Sequence, residues 1–155
     1  MAILINNQQQ LINAMKIAIN NSINYVMQQI YEENKQLIQE IVYNAYSPKA
    51  YSRTYELRDN WDYKIKDSRF SITGEFGLDT DSMTLSMENF IHGNPISGDL
   101  REYIADMVVQ GNGYFFADPY SNYSKPRDFW TPLINKLDSG KIEQWFNHQM
   151  TQEGF

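Results

Sequence analysis

The chain contains no cysteine, which excludes disulfide frameworks, zinc ribbons, iron–sulfur clusters and thiol nucleophiles together. Histidine is almost missing too. The 2 present, His92 and His148, lie far apart and match neither H-x-x-x-H nor H-E-x-x-H, so imidazole metal sites and catalytic triads have little material. Positive charge is in deficit: 13 Lys and Arg face 19 Asp and Glu, for a net charge of -6 and a pI near 4.8. That balance argues against non-specific wrapping of nucleic acid, which needs a continuous basic face to displace counterions. Long apolar runs are lacking as well. No window approaches the roughly 18 consecutive apolar residues of a membrane span, and Met1-Ala-Ile-Leu-Ile5 has neither the basic start nor the cleavage site of a signal peptide. A soluble chain, assembled in a reducing cytoplasm and without contact to membrane, is expected.

Catalytic signatures are equally sparse. There is no G-x-S-x-G elbow and no phosphate-binding G-x-x-x-x-G-K-[ST] loop. Gly111-Asn-Gly113 lacks the third glycine of a dinucleotide fingerprint and follows a helical pattern rather than a strand. Asp79-Thr-Asp81 begins like a calcium loop, but Met83 then replaces a ligand, Thr84 the required glycine and Phe90 the bidentate glutamate. Glu75, Asp79, Asp81 and Glu88 cluster near expected strand ends, and paired carboxylates need only spatial proximity. Nothing else points to hydrolysis. The expectation is a binding or assembly protein with no cofactor, no metal and no enzymatic activity.

What is abundant is amide and aromatic. The 155 residues, 18.2 kDa and one domain by length, include 15 Asn and 11 Gln together with 3 Trp, 11 Tyr and 8 Phe. The amides are interleaved with Ile, Tyr and Met in periodic patterns rather than gathered in a tract. Tyr is a residue that interfaces favour.

Hydrophobic periodicity orders the chain as an α+β domain. Ile12, Met15, Ile19, Ile23, Val26, Ile30, Leu37 and Ile41 recur at helical spacing, with one longer skip across Glu33 and Asn34. Asn7 and Gln10 form a capping-box pattern. A long helix over 8–44 follows, roughly 55 Å if unbroken, so that one end projects toward a neighbour. Pro48 stops it, and Thr54 is a candidate N-cap for a short turn through Leu57. The period then changes to two over 61–88, in runs around Trp61, Tyr63 and Ile65, around Ile72 and Phe76, and around Met83 and Leu85. A mainly antiparallel sheet of about four strands is expected, with the long helix on one face. A short helix over 99–110 ends at Gly111. The segment 111–128 is aromatic and long for a loop, and a C-terminal helical segment over 129–150 breaks at Ser139-Gly140. Basic residues Arg53, Arg58, Lys64, Lys66 and Arg69 collect in the middle third, where solvated or edge-guarding positions compete with a partner-facing patch.

Two segments have a residue order that the fold alone does not require. The first is Tyr46-Ser-Pro48-Lys-Ala-Tyr51-Ser-Arg53-Thr54-Tyr-Glu-Leu57. The second is Tyr103-Ile-Ala-Asp-Met-Val-Val-Gln-Gly111-Asn-Gly113-Tyr114, continuing to Lys125-Pro126-Arg127-Asp128-Phe129-Trp130. Together they resemble the small neck and tail-completion (head–tail joining) proteins of tailed bacteriophages. That family carries a Pro-x-x-x-x-Arg-Thr-Gly-x-Leu stretch after a long helix, then a Val-x-x-Gly-x-Gly-Tyr loop and a Pro-Arg-Pro-Phe lead into the last helix. Tyr55 stands here in place of the family's usual glycine, and Asp128 in place of a frequent proline. Since Tyr tolerates a positive φ poorly, the tightness of the first turn is the point at issue.

The resemblance implies a structural virion protein of the neck or tail. It would form a closed ring of about six or twelve copies between the portal side and the tail tube. Its partners would be itself and the neighbouring neck, portal-adaptor and tail-tube proteins, with DNA passing through unread. Arg53, Thr54, Tyr114, Tyr120, Tyr123 and Arg127 are the candidate interface residues. Pro48, Tyr51, Leu57, Gly111, Gly113, Phe129 and Trp130 are the candidate structural positions. Composition alone leaves another class open: an acidic monomeric immunity or inhibitor protein that caps a basic partner.

Overall fold

The computed structural model describes residues 7–45, 55–68, 71–84, 101–111 and 125–155. The chain is α+β, with a long N-terminal helix, an antiparallel two-stranded sheet, a short helix and a C-terminal helical segment. Helix α1 spans Gln8–Leu37 and runs directly into a wider π-helical turn, Ile38–Tyr43. It starts where the capping pattern places it, since the Gln10 N–H donates to Asn7 Oδ1 at 2.9 Å. A one-turn helix α2 (Glu56–Asp59) precedes strands β1 (Trp61–Asp67) and β2 (Ile72–Leu78). After a 3-10 turn at Arg101–Tyr103 comes α3 (Ile104–Gln110), then α4 (Trp130–Lys136), a wide turn at Leu137–Lys141 and α5 (Ile142–Gln152).

Two expectations change among the described residues, and one bound falls outside them. The sheet has two strands among the described residues rather than about four, because Met83 and Thr84 lie outside any strand and 85–90 fall outside the described residues. The short helix is present over Arg101–Gln110, opening as a 3-10 turn, and residues 99 and 100 lie outside the described residues. The N-cap of α2 is Tyr55, with no side-chain cap, rather than Thr54, which lies outside the described residues. The expected break in the last helical segment is present. Gly140 takes φ 86 there, a left-handed conformation that glycine adopts without a Cβ penalty.

Residue contacts divide the chain into two compact units. The first gathers Met1–Glu33, Tyr63–Gly77 and Ile134–Phe155. Its core is Val26, Met27 and Ile30, with half-buried Ile23, Tyr63, Phe76, Leu137, Trp145 and Phe146 against them. The alternation in β1 and β2 explains the sheet's contribution: Tyr63, Ile65, Ile72 and Phe76 are part-buried, while Lys64, Lys66, Thr73 and Glu75 are exposed. Lys16–Asp67 at 3.1 Å, Lys66–Glu75 at 2.6 Å and a Lys136–Glu33 contact lie at its surface. The two exposed pairs, Lys16–Asp67 and Lys66–Glu75, each contribute less than about 1 kcal/mol, so burial does most to hold this unit together.

The second unit comprises Asn34–Asp62 and Leu78–Leu133. Among the described residues, Ile38, Val42, Leu57, Trp61, Met83, Val108, Phe129 and Leu133 are its buried apolar side chains. Along α1 and its π turn, Ala18, Ser22, Val26, Ile30, Asn34, Ile38 and Val42 are all buried. That is an unbroken i+4 series, which drifts about 40° around the axis per step. The skip at Asn34 is therefore not a gap in the buried line. The line continues through a polar residue.

Candidate functional site

Three arrangements of chemistry-bearing side chains emerge from this scaffold. The first is an aromatic cluster in the second unit. The single turn of α2 buries Leu57 at 4% exposure. Four residues on, Trp61 Nε1–H donates to the Leu57 carbonyl at 2.6 Å, satisfying the buried indole. Phe129 is fully buried and meets Trp61 edge-on at 6.2 Å. Trp130 stacks on Trp61 at 5.5 Å and 27° while remaining 38% exposed. Such aromatic pairs each contribute about 0.5–1.5 kcal/mol beyond area burial. Asp128 Oδ1 accepts from the Trp130 and Thr131 N–H groups at 3.0 and 2.9 Å, capping α4. Proline at the corresponding family position could not make that cap. The Thr131 hydroxyl and these two N–H groups hold the Asp128 carboxyl below its ordinary range. Arg127 is buried, and its N–H donates to the Val108 carbonyl at 3.0 Å, just before Gly111 closes α3 with φ 68.

The second arrangement is a charged arm in the same unit. The Arg58 fork grips Asp59 through Nε to Oδ1 at 2.8 Å and Nη2 to Oδ2 at 2.7 Å. Its Nη1 donates to Gln39 Oε1 at 2.6 Å. The guanidinium lies 4.7 Å from the centroid of the Tyr55 ring, and that ring sits 4.8 Å from the ring of Tyr43. Lys35 Nζ adds a second cation, 3.3 Å from Asp59. The hydrogen bonds from Arg58 are the main cause that lowers the Asp59 carboxyl, with Lys35 adding to it. The same contact raises the Arg58 guanidinium. Of the basic residues that the sequence brings together, Arg58 and Lys66 are thus engaged within the chain and Lys64 is exposed. Arg53 and Arg69 lie outside the described residues.

The third is a groove in the first unit, of about 590 Å³. Ile23, Val26, Met27 and Ile30 of α1 form one wall, and Leu137, Ile142 and Phe146 the other. Gly74 of β2 also lines it, and the exposed Asp138 and Glu143 supply carboxylates at its rim. The periodicity identifies these apolar residues as core. It does not show that they leave an open groove, because the space between separate elements is not set by the pattern within any one of them.

The remaining candidates are placed as follows. Pro48, Tyr51, Arg53, Thr54, Gly113, Tyr114, Tyr120 and Tyr123 lie outside the described residues, as do Glu88 and His92. Leu57, Phe129 and Trp130 come together as the aromatic cluster, while Arg127 and Gly111 flank the end of α3. Glu75 pairs with Lys66, Asp79 accepts from Ser82 at 2.5 Å, and Asp81 is exposed. His148 sits 6.0 Å from the Tyr25 ring. Among the described residues no three His, Asp or Glu side chains gather as metal ligands, and no helix is long and apolar enough to cross a membrane.

Comparison with known proteins gives one family. The YomN family model matches residues 7–152. No curated protein and no solved structure matches the chain. The chain belongs to the YomN family, which is phage-derived.

Proposed function

We propose that this member of the YomN family is a structural virion protein. It forms a ring in the phage neck or tail-completion complex and joins the portal side to the tail tube around the DNA channel. Phage derivation of the family supports a virion setting. The observation that carries an assembly role is the exposed end of α1. From Gln8 to Ile17 every residue except Ala14 is exposed, including Leu11, Ile12, Met15 and Ile17. Four large apolar side chains on about 15 Å of helix are a surface for another chain to cover.

The engaged basic residues support a passive relation to DNA. With Arg58 and Lys66 paired inside the chain and a net charge of -6, a duplex would pass through the ring without being gripped. The test has two parts. Light scattering of purified protein should give a multimer, and a strict monomer to high micromolar concentration would sink constitutive ring formation. Immunogold electron microscopy of particles should label the neck. Labelled protein found only free in the lysate would favour the acidic monomeric inhibitor instead.

A further inference from the structure

We infer that the exposed end of α1 from one copy seats in the apolar groove of a second copy, giving a head-to-tail contact. The inference rests on the ring-forming role proposed above and names the surfaces that would close the ring.

Leu11, Ile12 and Met15 stand at i, i+1 and i+4, so they share one side of α1. They are 38%, 48% and 40% exposed. Within the first unit, α5 covers α1 only further along: Asn21 Nδ2 donates to Glu153 Oε1 at 3.0 Å, and Tyr25 meets His148. The ridge formed by the first turns is left in water. The groove is its counterpart in shape and polarity. Its walls are apolar, it opens to solvent, and about 590 Å³ accommodates several side chains the size of Leu or Met. Ile142, at its edge, is itself 43% exposed.

Charge selects the pairing of these two surfaces. The groove's rim carries Asp138 and Glu143, both exposed and neither ion-paired among the described residues. The start of α1 is electropositive, and a lysine stands close behind it. Its first turn holds no acidic residue, so no carboxylate there offsets the positive end of the helix dipole. Lys16, four residues after Ile12, is ion-paired with Asp67 at 3.1 Å. Because such an exposed pair contributes less than about 1 kcal/mol, a carboxylate of a second copy can take the place of Asp67. A second copy therefore brings apolar ridge to apolar groove and positive helix end to carboxylate rim. Because ridge and groove are different surfaces, the contact is heterologous, and repeated application closes a ring or extends a filament.

The experiment uses the full chain in two variants, each checked for an unchanged circular dichroism spectrum and melt. Ile12→Asp with Met15→Asp spoils the ridge at exposed positions. Ile142→Arg with Glu143→Lys spoils the groove's edge and reverses its charge. In sedimentation velocity each variant alone should self-associate at least ten-fold more weakly than wild type. An equimolar mixture should form a 1:1 dimer and stop, because one intact ridge meets one intact groove. A separate pair guards against misfolding. Lys16→Glu should weaken assembly, and adding Glu143→Lys in the same chain should restore it.

Wild-type assembly that persists in both variants, or a mixture that stays monomeric, overturns this contact while leaving ring formation standing. A wild type that is monomeric throughout overturns the ring-forming role and this contact with it.

Discussion

Gly74 lies so close to Met27 that a β-carbon built on the glycine would stand 2.4 Å from the thioether sulfur. Met27 is 5% exposed and belongs to the core of the first unit, so a single missing methyl group sets how closely β2 approaches α1. No positive φ is involved. The glycine is required for space alone.

Gly74→Ala should therefore destabilise the protein by about 1–3 kcal/mol, the usual cost of overpacking. Met27→Ala alone leaves a cavity and should cost about 2–5 kcal/mol. In the double variant the new methyl occupies space that the thioether vacates, so the two costs should not add. Urea denaturation of all four proteins gives the coupling directly. Strict additivity would place the contact elsewhere.

Tyr55 holds φ 61, ψ 12 at the position where the neck-protein resemblance puts glycine. The backbone is thus the tight turn that a glycine would make, adopted by a residue that finds it costly. The Tyr43 ring and the Arg58 guanidinium on the Tyr55 ring offset that cost. Tyr55→Ala removes the ring contacts and keeps the strain. Tyr55→Gly removes both. Left-handed backbone costs an ordinary residue about 1–2 kcal/mol, and glycine returns part of this as unfolded-state entropy. The glycine variant should accordingly be more stable than the alanine variant by about 0.5–1 kcal/mol in thermal or urea unfolding. Equal stabilities would mean that the turn relaxes when the ring is gone.

Much of this fold is legible in the sequence because its signals are local. The Asn7 cap, the apolar recurrence along α1, the alternation from Trp61 to Phe76 and the break at Gly140 each need only neighbouring residues. The π turn after Leu37 has no such signal, since Ile38 to Tyr43 continue an ordinary helical pattern. Asn34 reads as a break in the stripe because polarity stands in for exposure in sequence reasoning. Its i+4 register with Ile30 and Ile38 is the sign that it is buried. The groove is least legible of all, because an open space is made by residues that do not meet, and periodicity marks Ile142 and Val26 alike as core.

Asn34 carries a further consequence. Its side chain is fully buried, and neither Oδ1 nor Nδ2 has a hydrogen-bond partner among the described residues. An amide buried without partners costs about 1–3 kcal/mol in proteins. Asn34→Leu, of similar size and without polar atoms, should raise the unfolding midpoint by the equivalent of about 1 kcal/mol or more. Asn34→Asp should lower it sharply, because a buried carboxylate must either remain unsolvated or take up a proton. Scanning calorimetry of both variants decides the matter, and a destabilising leucine would show that the amide is satisfied in solution.

The acid limit of stability should trace to Asp59 and Asp128. Both carboxyls are held below their ordinary value of 3.8 in the folded chain, Asp59 by the Arg58 fork with help from Lys35, Asp128 by the hydroxyl and N–H of Thr131 and the N–H of Trp130. A carboxyl lowered on folding contributes stability that is complete above its unfolded value and lost as pH falls through the folded one. The loss should accordingly begin near pH 5 and deepen below pH 3.8. Asp128→Asn keeps an N-cap acceptor but no longer titrates there, so it should flatten the acid limb with little change at pH 7. Asp59→Asn also flattens it, but costs stability at pH 7 because Arg58 loses its charged partner. Urea midpoints from pH 7 down to pH 2.5 read both effects. An acid limb as steep in the double variant as in wild type would assign the transition to other carboxylates.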